Sequence, residues 1–114
     1  MNDVYNKLVR DKIPAIILAQ GDAPVTRILD AAAYERALHL KLQEEMTEYL
    51  DGFSVGELAD VLEVIHAIIE SKGLSFEAVE EVRQRKRDEC GGFQEKIFLV
   101  EVERKNWVAE LFLS

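Results

Sequence analysis

The chain has 114 residues, of which 48% are apolar and 32% are charged, and its formal net charge is -8. This length suits one domain, and the apolar content is too high for a disordered chain. The negative charge argues against a general nucleic-acid binder, which needs a basic face to displace counterions, but it allows a phosphorylated ligand if a cation lies between ligand and protein.

Cysteine content and the N-terminal residues predict a cytoplasmic location. Cys90 is the single cysteine, so no internal disulfide can form. The opening MNDVYNKLVRDK is charged and lacks the apolar run of a signal peptide. No segment approaches the length of a membrane span. We therefore expect a cytoplasmic protein that binds neither a membrane nor nucleic acid.

Two helices are predicted in the first half of the chain. Pro14 suits the first turn of a short helix, PAIILAQ, which Gly21 would end. GDAPVTRIL then forms a connection, with a brief extended piece at VTRIL. The second helix should run from about Ala31 to Leu50, since this stretch has good helix formers and no breaker. Asp30 can cap it through its side chain.

Two further helices follow, at about Val55 to Ser71 and Phe76 to Glu89. The sequence SVGE, beginning at Ser54, matches a capping box ahead of an apolar run. Ser75 can cap the fourth helix, and Gly91-Gly92 would end it. These elements predict an all-α fold in a single domain, an antiparallel helical bundle completed by oligomerisation.

The C-terminal part of the chain is less regular in its pattern. IFLVEVE alternates weakly and fits either a strand or an extended arm. NWVAELFLS has helix-compatible spacing, and its role after Glu103 is left open.

Helical phase places carboxylates beside the apolar stripe of the second helix. Glu45 falls within that stripe, and Glu48 lies at its edge. Glu44 is turned further towards solvent. The apolar members of the stripe are Tyr34, Leu38, Leu42, Met46 and Tyr49.

The third helix has a similar acidic border. Glu57 and Asp60 are three residues apart, and Val64 continues the same border. The predicted core stripe of this helix comprises Leu58, Val61, Leu62, Ile65, Ile68 and Ile69.

Packing the two apolar stripes together would gather the four carboxylates of Glu45, Glu48, Glu57 and Asp60. Without counter-charge, such a cluster would repel and lose hydration. Mg²⁺ prefers oxygen ligands and commonly bridges carboxylates to phosphate. The spacing is also compatible with a structural role, since Glu57 completes a capping box and Lys41 can pair with Glu44 or Glu45 one turn away.

The two pairs, E-x-x-E at Glu45–Glu48 and E-x-x-D at Glu57–Asp60, resemble the signature of the MazG-like all-α nucleoside triphosphate pyrophosphatases. YNKLVRDKIP, GELADVLEVI and RQRKRDECGGFQEKIFL resemble a phosphoribosyl-ATP pyrophosphohydrolase-like subgroup of that superfamily. The resemblance covers about Tyr5 to Glu103.

The resemblance implies a homodimer or homotetramer that cleaves a nucleoside triphosphate to the monophosphate and pyrophosphate. Glu45, Glu48, Glu57 and Asp60 would bind Mg²⁺, with Mn²⁺ as a substitute. Such a metal activates a water, and a carboxylate can accept its proton. Glu44, Glu45 and Glu48 are the candidate catalytic residues, and the sequence does not choose between Glu44 and Glu48 as the base.

Basic residues could bind the phosphates. Those of the opening motif are the better candidates, since basic residues near the end of the fourth helix also favour its dipole. The candidates are Lys7, Arg10, Lys12, Arg83 and Lys86.

Two other functions fit the same sequence. One is a non-enzymatic helical module that binds a nucleotide or a protein, with the acidic residues serving solubility or a structural cation. The other is phosphoribosyl-ATP hydrolysis in histidine biosynthesis, which ranks lower because the YNKLVRDKIP opening is not expected of that enzyme. A house-cleaning role against non-standard nucleotides rests on the resemblance alone. The preferred base and sugar and the number of metal ions are left open.

Overall fold

The computed structural model describes residues 1–104. It contains helices α1 (Ile13–Ala19), α2 (Ala31–Gly52), α3 (Val55–Ser71) and α4 (Phe76–Cys90). No strand occurs among the described residues, so the all-α prediction is confirmed, and residues 97–103 form no helix or strand. The predicted NWVAELFLS segment lies outside the described residues. No helix within residues 1–104 is long and apolar enough to cross a lipid bilayer.

Local signals in the sequence determine where the helices begin and end. The Asp30 side chain accepts a hydrogen bond from the Ala33 N–H and caps α2. Phe53 follows α2 in the left-handed region, with φ of 56°, and its N–H donates to the Tyr49 carbonyl. Gly21, with φ of 92°, follows α1 as predicted. These signals explain why the observed bounds lie within two residues of the predicted ones.

The contacts divide the chain into two compact units, Met1–Ser75 and Phe76–Ser114. In the first unit α2 packs against α3. The short connection between these helices leaves them antiparallel neighbours. The second unit contains α4, in which Arg83 pairs with Glu80 one turn away. The site described below belongs to the first unit.

The face that α3 buries differs from the predicted one. Val64 and Ile69 are buried, whereas Leu58 and Leu62 are 47% and 51% exposed. Val61, Ile65 and Ile68 are partly covered. Glu57, Asp60, Val61 and Val64 follow the spacing i, i+3, i+4, i+7 and so lie on one face of α3. The covered face of α3 is therefore rotated from the predicted stripe towards Glu57 and Asp60.

On α2 the predicted stripe is largely correct. Leu38 is 2% exposed, and Tyr34, Leu42 and Tyr49 are partly covered. Met46, placed in the stripe by its helical phase, is exposed instead. Glu45, the residue before Met46, takes the buried position in this turn of α2. The flexible Met46 side chain lies at the surface instead.

Candidate functional site

Glu45 is the one charged residue that is buried in residues 1–104, with 7% of its surface exposed. One oxygen, Oε1, lies 3.2 Å from Nζ of Lys41, one turn earlier on α2. The other, Oε2, is buried and has no hydrogen-bond partner within the described part of the chain. A buried carboxylate oxygen without a partner is costly, since it has lost water and gained nothing in exchange.

Glu48 lies one turn after Glu45 and is exposed. Coulombic repulsion from Glu45, followed by a side-chain hydrogen bond with Glu45 and by desolvation, raises the pKa of Glu48. Two carboxylates at this spacing compete for the same protons and cations. Either a shared proton or a cation would relieve the repulsion between them.

Glu44 has a different environment from its two acidic neighbours. Its Oε1 accepts a hydrogen bond from Lys7 Nζ at 2.8 Å, and its Oε2 accepts one from Lys41 Nζ at 3.1 Å. The hydrogen bond from Lys7 is the largest influence that lowers the pKa of Glu44. Because both oxygens bind an ammonium group, Glu44 is a poor acceptor for a further proton.

On α3, Glu57 and Asp60 face two different partners. Glu57 completes the capping box: its N–H donates to the Ser54 hydroxyl, while its Oε2 lies 3.5 Å from the Ser54 N–H nitrogen. That second distance is at the long limit of a hydrogen bond, so the carboxylate of Glu57 keeps much of its capacity for another partner. Gly52 leaves room for this carboxylate, because a Cβ at that position would overlap it. Oδ1 of Asp60 accepts a hydrogen bond from Arg10 at 2.7 Å.

The predicted site residues are therefore partly brought together. Glu44, Glu45 and Glu48 interact electrostatically along α2, whereas Asp60 is paired with Arg10 and Glu57 lies in the capping box. Among residues 1–104, no group of three or more His, Cys, Asp or Glu side chains is arranged to hold a metal ion. Lys7 and Lys41 pair with Glu44, Lys41 pairs with Glu45, and Arg10 pairs with Asp60.

The chemistry of the donors nevertheless fits Mg²⁺. All four predicted ligands offer carboxylate oxygens, which hard divalent cations prefer. The buried, unpartnered Oε2 of Glu45 is the observation that most directly fits a cation, since no protein donor among the described residues satisfies it.

The predicted phosphate-binding residues divide between the two units. Lys7 and Arg10 contact the acidic residues of α2 and α3. Lys12 precedes the first residue of α1 and is exposed. Arg83 pairs with Glu80 on α4, and Lys86 lies on the same helix in the second unit.

Lys41 pairs with both carboxylates that the sequence analysis offered as its partners, so that prediction is confirmed. It lies within 3.2 Å of Glu45 and 3.1 Å of Glu44, and its side chain is largely buried. The spacing of three and four residues predicted these pairs. The pairs formed by Lys7 and Arg10 join residues 37 and 50 positions apart, and no helical periodicity could predict them.

Comparison with known proteins gives one short similarity. No protein-family model matches the chain, and no solved structure matches it. A protein of Mycolicibacterium smegmatis described as uncharacterized is 50% identical over 42 residues. The match covers 37% of this chain and 43% of that protein, so the matched part spans less than half of the relative's length. This similarity names no activity.

Proposed function

We propose that the chain is a Mg²⁺-dependent nucleoside triphosphate pyrophosphohydrolase that yields a monophosphate and pyrophosphate and works as a cytoplasmic homo-oligomer. The proposal depends most on one observation, the buried carboxylate of Glu45 with its unpartnered Oε2. A buried carboxylate without a full set of partners is costly on a solvated acidic helix face, and a bound cation would offset that cost. The resemblance of the two carboxylate pairs to the MazG-like superfamily supplies the reaction type.

In this proposal Glu45, Glu48, Glu57 and Asp60 hold Mg²⁺. When bound, the ion supplies charge neutralisation for the triphosphate and a more acidic water. Glu45 anchors the site from the interior, because its buried side chain has limited freedom. Glu48 is exposed and the Asp60 side chain is 41% exposed, so a ligand can reach both from solvent.

Glu48 is the better candidate for the proton acceptor. Both oxygens of Glu44 already accept hydrogen bonds from lysine ammonium groups. Glu48 has no ion pair of comparable length among those found in residues 1–104, so a lone pair remains for a water proton. Glu44 then serves to fix Lys7 and Lys41 beside the acidic residues.

Lys7 and Arg10 are the cations best placed to bind phosphate. Both lie on the opening segment and already contact the carboxylates of the site. Arginine binds phosphate through several N–H groups in a fixed fork, and lysine does so as a point charge.

The ion pairs themselves favour a second candidate function. Lys41, Lys7 and Arg10 neutralise much of the acidic charge without any metal. A non-enzymatic helical module could use these ion pairs in place of a cation. Phosphoribosyl-ATP is a third possibility, as a specific substrate of the same chemistry.

A substrate panel distinguishes these functions. The protein, residues 1–114, is incubated with standard and non-standard nucleoside triphosphates and with phosphoribosyl-ATP, with Mg²⁺ or with EDTA, and pyrophosphate and orthophosphate are assayed separately. The proposal predicts Mg²⁺-dependent pyrophosphate release from at least one triphosphate. Release from phosphoribosyl-ATP alone would favour the histidine-pathway reaction. Orthophosphate as the first product would show that another bond is cleaved, and no release from any compound would favour the binding module.

A further inference from the structure

Residues 97–103, IFLVEVE, combine a strand-like sequence with an unpaired backbone. The β-branched and aromatic residues of this segment favour strands. The structure nevertheless places no strand there, and within residues 1–104 the backbone of 97–103 makes no hydrogen bond to another backbone group. Backbone N–H and C=O groups in this state are available to pair with another chain.

The apolar side chains of the same segment are uncovered as well. Phe98 is 87% exposed and Val100 is 83% exposed. All large apolar residues of the segment have at least half of their surface exposed, namely Ile97, Phe98, Leu99, Val100 and Val102. Five such side chains in seven residues form a contiguous apolar surface, which is a common mark of a protein interface.

The positions of the two glutamates in this segment fit pairing with a second copy of the same segment. In an antiparallel pair of strands related by a two-fold axis, one residue lies opposite its own copy. If that residue is Val100, all seven residues find a partner, and Glu101 and Glu103 lie opposite apolar residues of the second copy. An axis at Glu101 or at Val102 would instead place carboxylates opposite each other, which is destabilising.

The size of this contact limits what it can do alone. Pairing would bring Phe98, Val100 and Val102 of both copies onto one apolar face of a two-stranded ribbon. Seven paired residues in each copy bury less than the roughly 1,200 Å² at which stable interfaces begin. An isolated two-stranded ribbon is also marginal in water. The contact therefore strengthens an oligomer that another surface of the chain also holds.

We infer that residues 97–103 of two copies of the chain pair as antiparallel strands, with Val100 of each copy opposite Val100 of the other. The second copy supplies the strand partner that the sequence of this segment favours and that residues 1–104 of a single copy do not provide. The inference rests on the homo-oligomer of the proposed function, but neither a nucleotide nor hydrolysis is needed to test it.

An engineered disulfide tests the pairing and its register. Cys90 is exposed, so it is replaced by serine in every protein compared. In that background Val100→Cys should form a covalent dimer on mild oxidation, because directly opposite residues have Cα atoms about 4.5–5.5 Å apart, within reach of a disulfide. Ile97→Cys is the matched control, since six strand positions, about 20 Å, would separate its two thiols. Non-reducing electrophoresis and mass spectrometry of the linked peptides are the measurements.

Sedimentation velocity at several protein concentrations measures the strength of the contact. Val100→Lys places two like charges opposite each other and should raise the dissociation constant of the oligomer by at least about two- to fivefold. Val25→Lys makes the same substitution at a residue that is 98% exposed and should leave the constant unchanged. Circular dichroism should show the same helix content in both variants, because neither residue lies in a helix.

The outcomes separate the strand pairing from the oligomer and from hydrolysis. A disulfide in Val100→Cys but not in Ile97→Cys, together with the weaker oligomer of Val100→Lys, supports the pairing. An oligomer in which both cysteine variants oxidise alike, or in which Val100→Lys and Val25→Lys associate equally, overturns the pairing and leaves the oligomer standing.

Hydrogen exchange of the oligomer identifies another cover for the segment. Protected amides in residues 97–103 without the Val100→Cys disulfide would show that a different surface covers the segment, and would overturn the pairing. A monomer at every concentration would overturn both the pairing and the homo-oligomer. Failure of the nucleotide panel beside a positive disulfide result would overturn the proposed hydrolysis alone.

Discussion

Glu45 sits where α2 would ordinarily place an apolar side chain. Leu38 and Tyr49 lie before and after it on the same covered face of α2. Glu45 is buried like an apolar residue of that face, although its side chain is a carboxylate. Lys41 satisfies only one of its oxygens. Leaving the other without a donor costs free energy, and a bound ion or a catalytic role is one explanation for such a group.

At the same scale, the ion pair between Lys7 and Glu44 should respond to pH in a defined direction. The hydrogen bond from Lys7 is the main cause that lowers the pKa of Glu44. The ion pair therefore stabilises the fold at pH values above the ordinary carboxyl pKa. This stabilisation is lost as the pH falls through the lowered pKa of Glu44. The same hydrogen bond raises the pKa of Lys7. The stabilisation by the pair is therefore present below the ordinary amine pKa and is lost as the pH rises through the raised pKa of Lys7.

Urea unfolding of Lys7→Ala and the unchanged protein at several pH values tests this expectation. The variant should be less stable by about 0.2–1 kcal/mol at neutral pH, the range for exposed pairs. The difference should vanish in acid below the pKa of Glu44. A difference that stays the same in acid would show that Lys7 stabilises the fold by packing and not by its charge.

At the scale of the elements, the connection between α2 and α3 combines a stability signal with a site residue. Ser54 and Glu57 form both halves of the capping box that begins α3. Ser54→Ala removes the acceptor for the Glu57 N–H and should cost about 0.5–2 kcal/mol of folding free energy. Ser54→Asp should restore most of it, because aspartate also caps helices well. Ser71→Ala, near the other end of α3, is the control, and thermal unfolding followed by circular dichroism is the measurement. Equal losses in Ser54→Ala and Ser71→Ala would contradict a specific capping role.

The helix bounds could be predicted from the sequence more closely than the face that each helix buries. Helix bounds depend on neighbouring residues, such as Asp30 before α2 and Ser54 before α3, so they could be predicted closely. The burial of Glu45 followed from helical phase in the same way. The covered face of α3 could not be fixed, because Leu58 and Val64 are both apolar and only the packing partner decides between them. The pair of Arg10 with Asp60 depends on where the opening segment lies in space, which no local pattern encodes.

At the scale of the whole molecule, α3 presents an exposed apolar stripe. Leu58 and Leu62 lie one turn apart on it, and Val55 precedes them on the same side. The expectation of a homodimer or homotetramer came from the breadth of the apolar surface on this helix and from the family resemblance. Contiguous exposed apolar surface is a common mark of a protein interface.

The oligomer prediction can be tested by sedimentation velocity over a range of protein concentrations. The unchanged protein should sediment as a dimer or tetramer, and the double variant Leu58→Asp with Leu62→Asp should sediment as a monomer with unchanged helix content. Leu40→Asp on α2, at another exposed apolar position, should keep the oligomer and serves as the control. A monomeric unchanged protein would contradict the prediction, and an oligomer that survives the double substitution would place the interface on another surface.

The most direct test of the central claim is the Mg²⁺-dependent turnover of Glu45→Gln beside that of Glu63→Gln, with a triphosphate that the unchanged protein cleaves. Glu63 is an exposed residue of α3. If the buried carboxylate holds the metal, Glu45→Gln should reduce pyrophosphate release by about 100-fold or more and weaken Mg²⁺ binding while keeping its helix content. Glu63→Gln should retain both. Full activity and unchanged Mg²⁺ affinity in Glu45→Gln would contradict the account.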